Sequence, residues 1–244
     1  MIDPPERTAL HWLTAKLDRL CSLDDTDKVR LAALPLRLER VARSHRLVRE
    51  GERVNHCCLL VEGYASRLKD LRSGSRQIVS FHIRGDMLDV QHQLLSRADH
   101  SVETITGACV AWIPRDAMLA LAWERSAIGK ALWQDCLIDA SIFREWVLNV
   151  GQRDALSRIS HMLCEFIVRC HAAGLGEPDT LNIPMTQEQI ADATGLTPVH
   201  VNRMIQELRS EGALQFGSRN IQLASWERLR EIAGFNPAYL HAAA

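Results

Sequence analysis

Side chains between positions 186 and 219 have the types and spacing needed to hydrogen-bond nucleic acid. Arginine can bridge O6 and N7 of guanine, asparagine can bridge adenine, and an apolar group can contact the thymine methyl. The N-terminus of a helix can bind phosphate through its free N–H groups. On these grounds we predict that DNA is contacted by nine residues: Thr186, Gln187, Thr197, Val199, His200, Asn202, Arg203, Arg209 and Arg219.

These residues require a helix-turn-helix to position them, and the capping signals of its first helix are present. Thr186 is a good N-cap residue, and Gln189 follows three positions later, as in a capping box. The first helix is predicted over 187–194. Gly195 then stands where the turn needs a residue that tolerates positive φ.

The second helix of the motif begins with Thr197 as its cap and Pro198 at its first position, where a missing N–H has no cost. Gly212 ends this helix. Its buried stripe is predicted to be Val201, Met204, Ile205 and Leu208, which leaves the predicted DNA-contacting side chains outward. The segments ALQF and IQLA flank the turn Gly217–Asn220, so two strands and a winged helix are predicted. A well-capped helical hairpin without DNA binding is the alternative.

Charge limits how this segment can bind DNA. The net charge of the chain is −1 at pH 7, so any attraction to nucleic acid must come from a local patch. Residues 151–224 contain six basic and eight acidic side chains. Binding must therefore depend on a few well-placed arginines and on helix N-termini, and non-specific affinity is expected to be modest.

Apolar residues before the motif repeat with the 3-4 spacing of a two-helix coiled coil. We predict that they form a dimer seam of Trp133, Cys136, Ala140, Phe143, Val147 and Val150. A second apolar face with Ile138, Ile142 and Trp146 predicts a second partner, the β domain of the same chain. The alternative is a helix buried within one large domain. At Cys136 plain packing is favoured over a disulfide with the two-fold mate.

The sequence of the first half of the chain predicts mostly β-strands. Glycines recur every 11 or 12 residues, at Gly51, Gly63, Gly74 and Gly85, with short apolar segments between them. This pattern predicts an all-β sandwich or roll, and residues 1–34 predict an amphipathic helix docked on it. The predicted class is α+β. The predicted parts are a sensor-like β domain with an N-terminal helix (1–115), a dimerisation helix (116–150) and a winged helix with a C-terminal tail (151–244).

Composition excludes several other classes of protein. The 244 residues are 47% hydrophobic and 24% charged, which is ordinary for a globular chain and excludes a disordered or fibrous one. No membrane-length apolar segment, signal peptide or catalytic motif is found, so we expect a cytoplasmic protein that is not an enzyme and does not contact a membrane. The seven cysteines are then expected to be thiols.

Taken in order, the predicted β-roll, dimer helix and winged helix resemble the Crp/Fnr family of bacterial transcription regulators. The resemblance is carried by LLVEGYASRLKDL, by the turn at Gly85–Asp86, by the helix start at 153–158 and above all by TQEQIADATGLTPVHVNRMIQEL. It implies a cyclic-nucleotide-binding-like β-roll (a double-stranded β-helix) and a homodimer. It also implies that double-stranded DNA is bound at an inverted repeat and that RNA polymerase is a partner. The alternative is a dimeric sensor or scaffold that has lost sequence-specific DNA binding.

The sequence departs from the ligand motifs of this family. Cyclic-nucleotide members hold phosphate with a Gly-Glu pair and a later Arg-Ser-Ala run, whereas this chain has no such run and carries three aspartates between 86 and 99. Cyclic AMP is therefore not expected as the effector. Iron–sulfur members carry an N-terminal cysteine cluster, and here that region contains only Cys21. Cys57 and Cys58 point to opposite strand faces.

No cofactor and no metal are expected, and the small-molecule effector, if there is one, is unidentified. His56 and Cys58 share a strand face that invites a metal or haem interpretation, but a buried strand with small thiols is the commoner explanation. His82, His92 and His100 could form a pH- or metal-sensing group, although scattered histidines are commoner. The candidate effector-binding residues are Asp86, Asp89, His92 and His100.

Overall fold

The computed structural model describes residues 5–177, 181–216 and 221–241. These residues fall into two compact units, the first within 1–69 and 81–140 and the second within 70–80 and 141–242. None of the described helices is long and apolar enough to cross a membrane. Arg219 and the rest of the predicted wing turn lie outside the described residues.

Helices begin the chain and make up most of its second half. In chain order the α-helices are α1 (Pro5–Leu20), α2 (Asp25–Ala32), α3 (Arg115–Glu124), α4 (Ser126–Gln152), α5 (Ala155–Ala172), α6 (Gln187–Thr194), α7 (Pro198–Ser210) and α8 (Trp226–Ala233). Short 3₁₀ helices span Val90–Gln93 and Pro237–Leu240.

Strands occupy the region between α2 and α3 and return around the helix-turn-helix. They are β1 (Arg37–Val41), β2 (Arg46–Val48), β3 (His56–Glu62), β4 (Ala65–Asp70), β5 (Arg76–His82), β6 (Ser101–Thr104), β7 (Ala108–Pro114), β8 (Asn182–Ile183), β9 (Leu214–Phe216) and β10 (Ile221–Leu223). The α+β class predicted from the sequence is confirmed.

Two antiparallel sheets form the β-roll, with strand orders β1-β7-β3 and β2-β6-β4-β5. In β3 the side chain of Cys57 joins one apolar core with α1, α2 and α4, while Cys58 joins the other core between the sheets. Both thiols are buried, so the predicted opposite orientation and packing role are confirmed. Burial raises the pKa of both thiols. At Gly63 a Cβ would lie 2.5 Å from the carbonyl oxygen of Gly107, so only glycine fits.

The dimerisation helix predicted over 116–150 is not continuous. Arg125 leaves the helical conformation with φ −115° and ψ 96°, so α3 ends before it and the long helix α4 starts after it. The guanidinium of Arg125 reaches back to α2, where Nε lies 2.6 Å from Asp27 and Nη2 lies 2.8 Å from Asp24. Gly129 allows the two helices to approach closely, because a Cβ there would lie 2.6 Å from the Ala122 carbonyl oxygen.

Buried ion pairs tie α1 and the first part of α4 to the roll. Lys16 Nζ lies 2.7 Å from Asp135 and 3.0 Å from Asp86. Burial alone would lower the pKa of Lys16, but the two carboxylates outweigh it and raise the pKa, so the lysine stays charged. Arg67 is also buried, where it pairs with Asp139 and donates to backbone carbonyls of the roll.

Helix α4 buries different faces in the two units. Within the first unit, Ile128, Ala131 and Leu132 of α4 belong to the apolar core that includes Cys57. Within the second unit, the indole of Trp146 donates to the buried carboxylate of Glu165 on α5, at 3.1 and 3.2 Å from its two oxygens. The prediction that the second face packs on the β domain is therefore wrong at Trp146, which contacts α5 instead.

Candidate nucleic-acid interface

The first helix of the predicted motif is capped as its sequence indicated. Thr186 Oγ1 accepts a hydrogen bond of 3.2 Å from the backbone N–H of Gln189, and Gln189 Oε1 accepts one of 3.0 Å from the N–H of Thr186. Helix α6 spans the predicted residues, and Gly195 ends it with φ +67°. The capping box, the helix and the turn are all confirmed.

The second helix, α7, also has the predicted cap. Thr197 Oγ1 accepts a hydrogen bond of 3.2 Å from the N–H of His200, and Pro198 occupies the first helical position. The four residues predicted for the buried stripe are buried: Val201, Met204, Ile205 and Leu208. Because these side chains hold α7 to the domain, the opposite side of the helix faces outward.

The outward side of α7 carries the predicted base-reading groups. Val199 is 81% exposed, which is unusual for a branched apolar side chain. Arg203 is exposed and forms no hydrogen bond or ion pair with the residues that the structure describes. Asn202 Nδ2 donates to Gln187 Oε1 at 3.1 Å, so the start of α6 and the outer face of α7 share a hydrogen bond. Arg209 Nη1 donates to Gln206 at 2.8 Å.

A small antiparallel sheet, in the order β8-β10-β9, combines a strand before α6 with two strands after α7. Leu214 pairs with Leu223 and Gln215 with Gln222, so the two predicted wing strands are present and paired. Sequence reasoning missed β8, which pairs with β10 through Ile183 and lay in a segment interpreted as loop. Two residues are too few for a periodicity signal, so only the pairing reveals this strand.

Several arginines near the motif are used inside the domain. Arg153 pairs with Glu145 at 3.0 Å, and Arg169 lies 3.6 Å from Glu165. Arg158 donates to the carbonyl oxygen of Thr194, the last residue of α6, at 2.7 Å. These side chains stabilise the fold, so within the described part of the motif the exposed positive charge lies on α7, at Arg203 and Arg209. Sequence reasoning missed this division, because nothing in the local pattern identifies a distant partner.

Comparison with known proteins agrees with this geometry. A family model of the Crp-like helix-turn-helix domain matches residues 157–232, and one of the cyclic nucleotide-binding domain matches residues 38–124. The transcriptional activator FnrL of Cereibacter sphaeroides is 26% identical over 188 residues, with 75% of each chain covered. FixK of Bradyrhizobium diazoefficiens, a nitrogen fixation regulation protein, is 28% identical over 71% of this chain and 72% of its own.

The chain belongs to the Crp/Fnr family of bacterial transcription regulators. It is a DNA-binding transcription regulator. Among solved structures, FixK2 from Bradyrhizobium japonicum has a similar fold, with a TM-score of 0.73 and 24% identity over 82% of this chain and 98% of that one. A CRP-family transcriptional regulator from Thermus thermophilus has a TM-score of 0.65 and 21% identity over 84% and 100% of the two chains.

In this regulator the predicted dimer seam is largely solvent-exposed on the single chain. Phe143 is 51% exposed and Val147 is 54% exposed, and Trp133, Ala140 and Val150 are exposed as well. Cys136 is half-buried, and burial raises the pKa of its thiol to about 11. Such a thiol is a poor nucleophile near neutral pH, which agrees with packing rather than disulfide chemistry.

The four candidate effector-binding residues of the regulator are not equivalent. Asp86 is buried and bound to Lys16, to His82 Nδ1 at 3.3 Å and to the backbone N–H of Ile83. Asp89 is buried, and desolvation raises its pKa to about 7 although one oxygen accepts the N–H of Cys58. The other two candidates, His92 and His100, stack with ring centroids 5.1 Å apart.

Proposed function

We propose that this regulator binds an inverted-repeat DNA site as a homodimer, with α7 of each subunit in a major groove. The observation that carries the proposal is the outward side of α7, where Val199 and Arg203 are exposed, above a fully buried stripe. A dimer would present two such helices about 34 Å apart, one turn of B-DNA.

Each predicted DNA contact has a role in this arrangement. Arg203 is placed to read guanine, and Val199 is placed to pack on a thymine methyl. The caps at the N-termini of α6 and α7, Thr186 with Gln187 and Thr197, are suited to phosphates. The remaining assignments are base or phosphate contacts from His200 and Asn202, and phosphate contacts from Arg209 and Arg219.

The proposal of a homodimer is based on the exposed apolar stripe of α4. The repeat from Trp133 to Val150 places apolar side chains at a 3-4 spacing on one side of the helix, and four of them are large and exposed. An apolar stripe of this length is unfavourable in water, and a second α4 with the same spacing would cover it. Leu137, beside the stripe, is also 56% exposed and would widen the contact.

The remaining partners follow from the family. We assign the regulator to the cytoplasm, with RNA polymerase as the protein that it contacts when bound to DNA. The roll is the place for an effector, with Asp86, Asp89, His92 and His100 as candidates, and cyclic AMP is not expected there. The Arg-Ser-Ala run that would hold a phosphate is missing, and the buried guanidinium of Arg67 binds Asp139 and the carbonyl oxygen of Leu88.

Half-site spacing tests the function directly. A site should first be selected from random DNA with the full-length regulator, and then altered by inserting about 5 base pairs, half a helical turn, between its halves. We expect the altered site to bind like a single half-site, and a full-turn insertion to retain more affinity. A selected site without two-fold symmetry would contradict the proposal. If the protein is a dimer but no DNA site can be selected, the alternative of a dimeric sensor or scaffold without sequence-specific DNA binding would be favoured.

A further inference from the structure

Three side chains of metal-ligating type converge in the roll. His92 comes from the 3₁₀ helix Val90–Gln93, while Asp99 and His100 directly precede β6. Asp99 Oδ1 lies 2.7 Å from His100 Nδ1 and 3.3 Å from His92 Nε2. One possible ligand atom from each residue lies within 4.8 Å of the other two.

We propose that His92, Asp99 and His100 form a binding site for a divalent first-row transition-metal ion, with water completing the coordination. Two imidazoles and one carboxylate suit Zn²⁺, Fe²⁺ and Co²⁺. Metal–nitrogen and metal–oxygen bonds of about 2.1 Å in a tetrahedron place ligand atoms about 3.4 Å apart. Here Asp99 Oδ1 lies 2.7 and 3.3 Å from the two imidazole nitrogens, and the three ligand atoms lie within 4.8 Å of one another, so rotation of the side chains would bring them to that spacing. The site replaces the expectation from sequence that no metal is bound.

The site combines a buried ring with a route from solvent. His92 is 1% exposed. The side chain of Asp99 is 66% exposed, which gives an ion a route from solvent and leaves room for water ligands.

The backbone around Asp99 is held in place by a residue outside the cluster. Lys69 Nζ donates to the carbonyl oxygen of Asp99 at 2.6 Å and pairs with Glu50. The lysine thus binds the main chain and not the carboxylate, which stays available to an ion. Gln91 Nε2 lies 3.4 Å from His100 Nδ1 and borders the site on another side.

Metal titration of the full-length regulator tests the proposal. After treatment with a chelator and its removal, wild type should be titrated with Co²⁺, followed by its visible absorption, and with Zn²⁺ in competition. The site variants are Asp99→Asn, His92→Ala and His100→Ala. The control is His45→Ala, which removes an exposed imidazole elsewhere in the roll. Asp99 is exposed, so Asp99→Asn keeps the test decisive even if a buried histidine variant fails to fold.

We expect one equivalent of Co²⁺ to bind wild type and His45→Ala with equal affinity. Each folded site variant should bind it more than about tenfold more weakly, since even partners outside the ligand sphere contribute tenfold or more. Zn²⁺ should raise the melting temperature of wild type and the control only. Absence of binding to wild type, or equal binding by Asp99→Asn, would overturn the proposal. No DNA is present, so the outcome is independent of the proposed DNA site.

Discussion

Arg203 lies one helical turn after Val199 on the exposed side of α7, so the guanidinium and the isopropyl group project from the same side of the helix. An apolar group and a bidentate donor one turn apart can address neighbouring base pairs in one major groove. The side chain of Val199 cannot accept a hydrogen bond from cytosine. The preferred base pair opposite it should therefore be one with a thymine methyl.

Substituting Arg203 with alanine should reduce discrimination at one base pair of each half-site. A bidentate arginine–guanine contact contributes about 1–3 kcal/mol, and its loss should affect that position more than others. The measurement is binding-site selection with wild type, Arg203→Ala and the control Arg43→Ala, which removes an exposed arginine from the roll. An unchanged consensus with unchanged information content in Arg203→Ala would show that this residue does not read a base.

Replacing Phe143 with glutamate should dissociate the dimer. Two facing carboxylates would be buried in the seam without partners, at a cost of several kcal/mol. Analytical ultracentrifugation at micromolar concentration should show monomers for Phe143→Glu. Val29→Glu, a change of similar kind at an exposed position of α2, should remain dimeric. Dimers of Phe143→Glu would place the interface elsewhere.

Cyclic AMP should not regulate the protein. The arginine that would hold the phosphate is missing from the sequence, and the carboxylates between 86 and 99 would repel a phosphate. Calorimetry should detect no binding at micromolar nucleotide, and the operator affinity of the same preparation should not change when the nucleotide is added. Micromolar binding accompanied by a gain in operator affinity would refute this prediction.

His161 should make the regulator less stable as the pH falls. Burial lowers its pKa to about 4, and Arg153 adds to the effect, whereas an unfolded histidine titrates near 6.5. Between these values the unfolded chain binds a proton that the folded chain does not, so the contribution to stability is lost as the pH falls through that window.

The variant His161→Phe isolates this effect, because phenylalanine can keep the ring contacts with Phe235 and Tyr239. From about pH 7 to about pH 4, the unfolding free energy of wild type minus that of the variant should fall by on the order of 2–3 kcal/mol. Urea unfolding at each pH measures it. A pH-independent difference for His161→Phe would contradict the assignment.

Local signals explain why the helix-turn-helix was predictable. Capping at Thr186 and Thr197 and the turn at Gly195 involve residues within a few positions of each other, so their chemistry is visible in the sequence. The same holds for the apolar stripe of α7, whose periodicity matches one helix face. Strand β8 had no such signal, because it is defined only by its partner β10.

Long-range pairing was decided by the tertiary structure alone. At the break between α3 and α4, Arg125 pairs with Asp24 and Asp27, about a hundred residues earlier in the chain. Two other long-range contacts are of this kind. Trp146, on the second face of α4, donates a hydrogen bond to Glu165, and Asp86 forms an ion pair with Lys16. Each partner is one of many acidic or basic residues, and spacing along the chain does not select among them.

By itself, the sequence of this regulator determined the class of fold, the capped recognition helix and the apolar repeat of α4, because each depends on residue type and short-range period. Only the tertiary structure decided which arginines remain exposed for DNA and which are used inside the domain. Only the tertiary structure, too, brought His92 beside Asp99 and His100. Those outcomes depend on contacts between residues that are far apart in the sequence. Such contacts form only when the folded chain brings polar groups together and excludes water from them, so no local pattern encodes them.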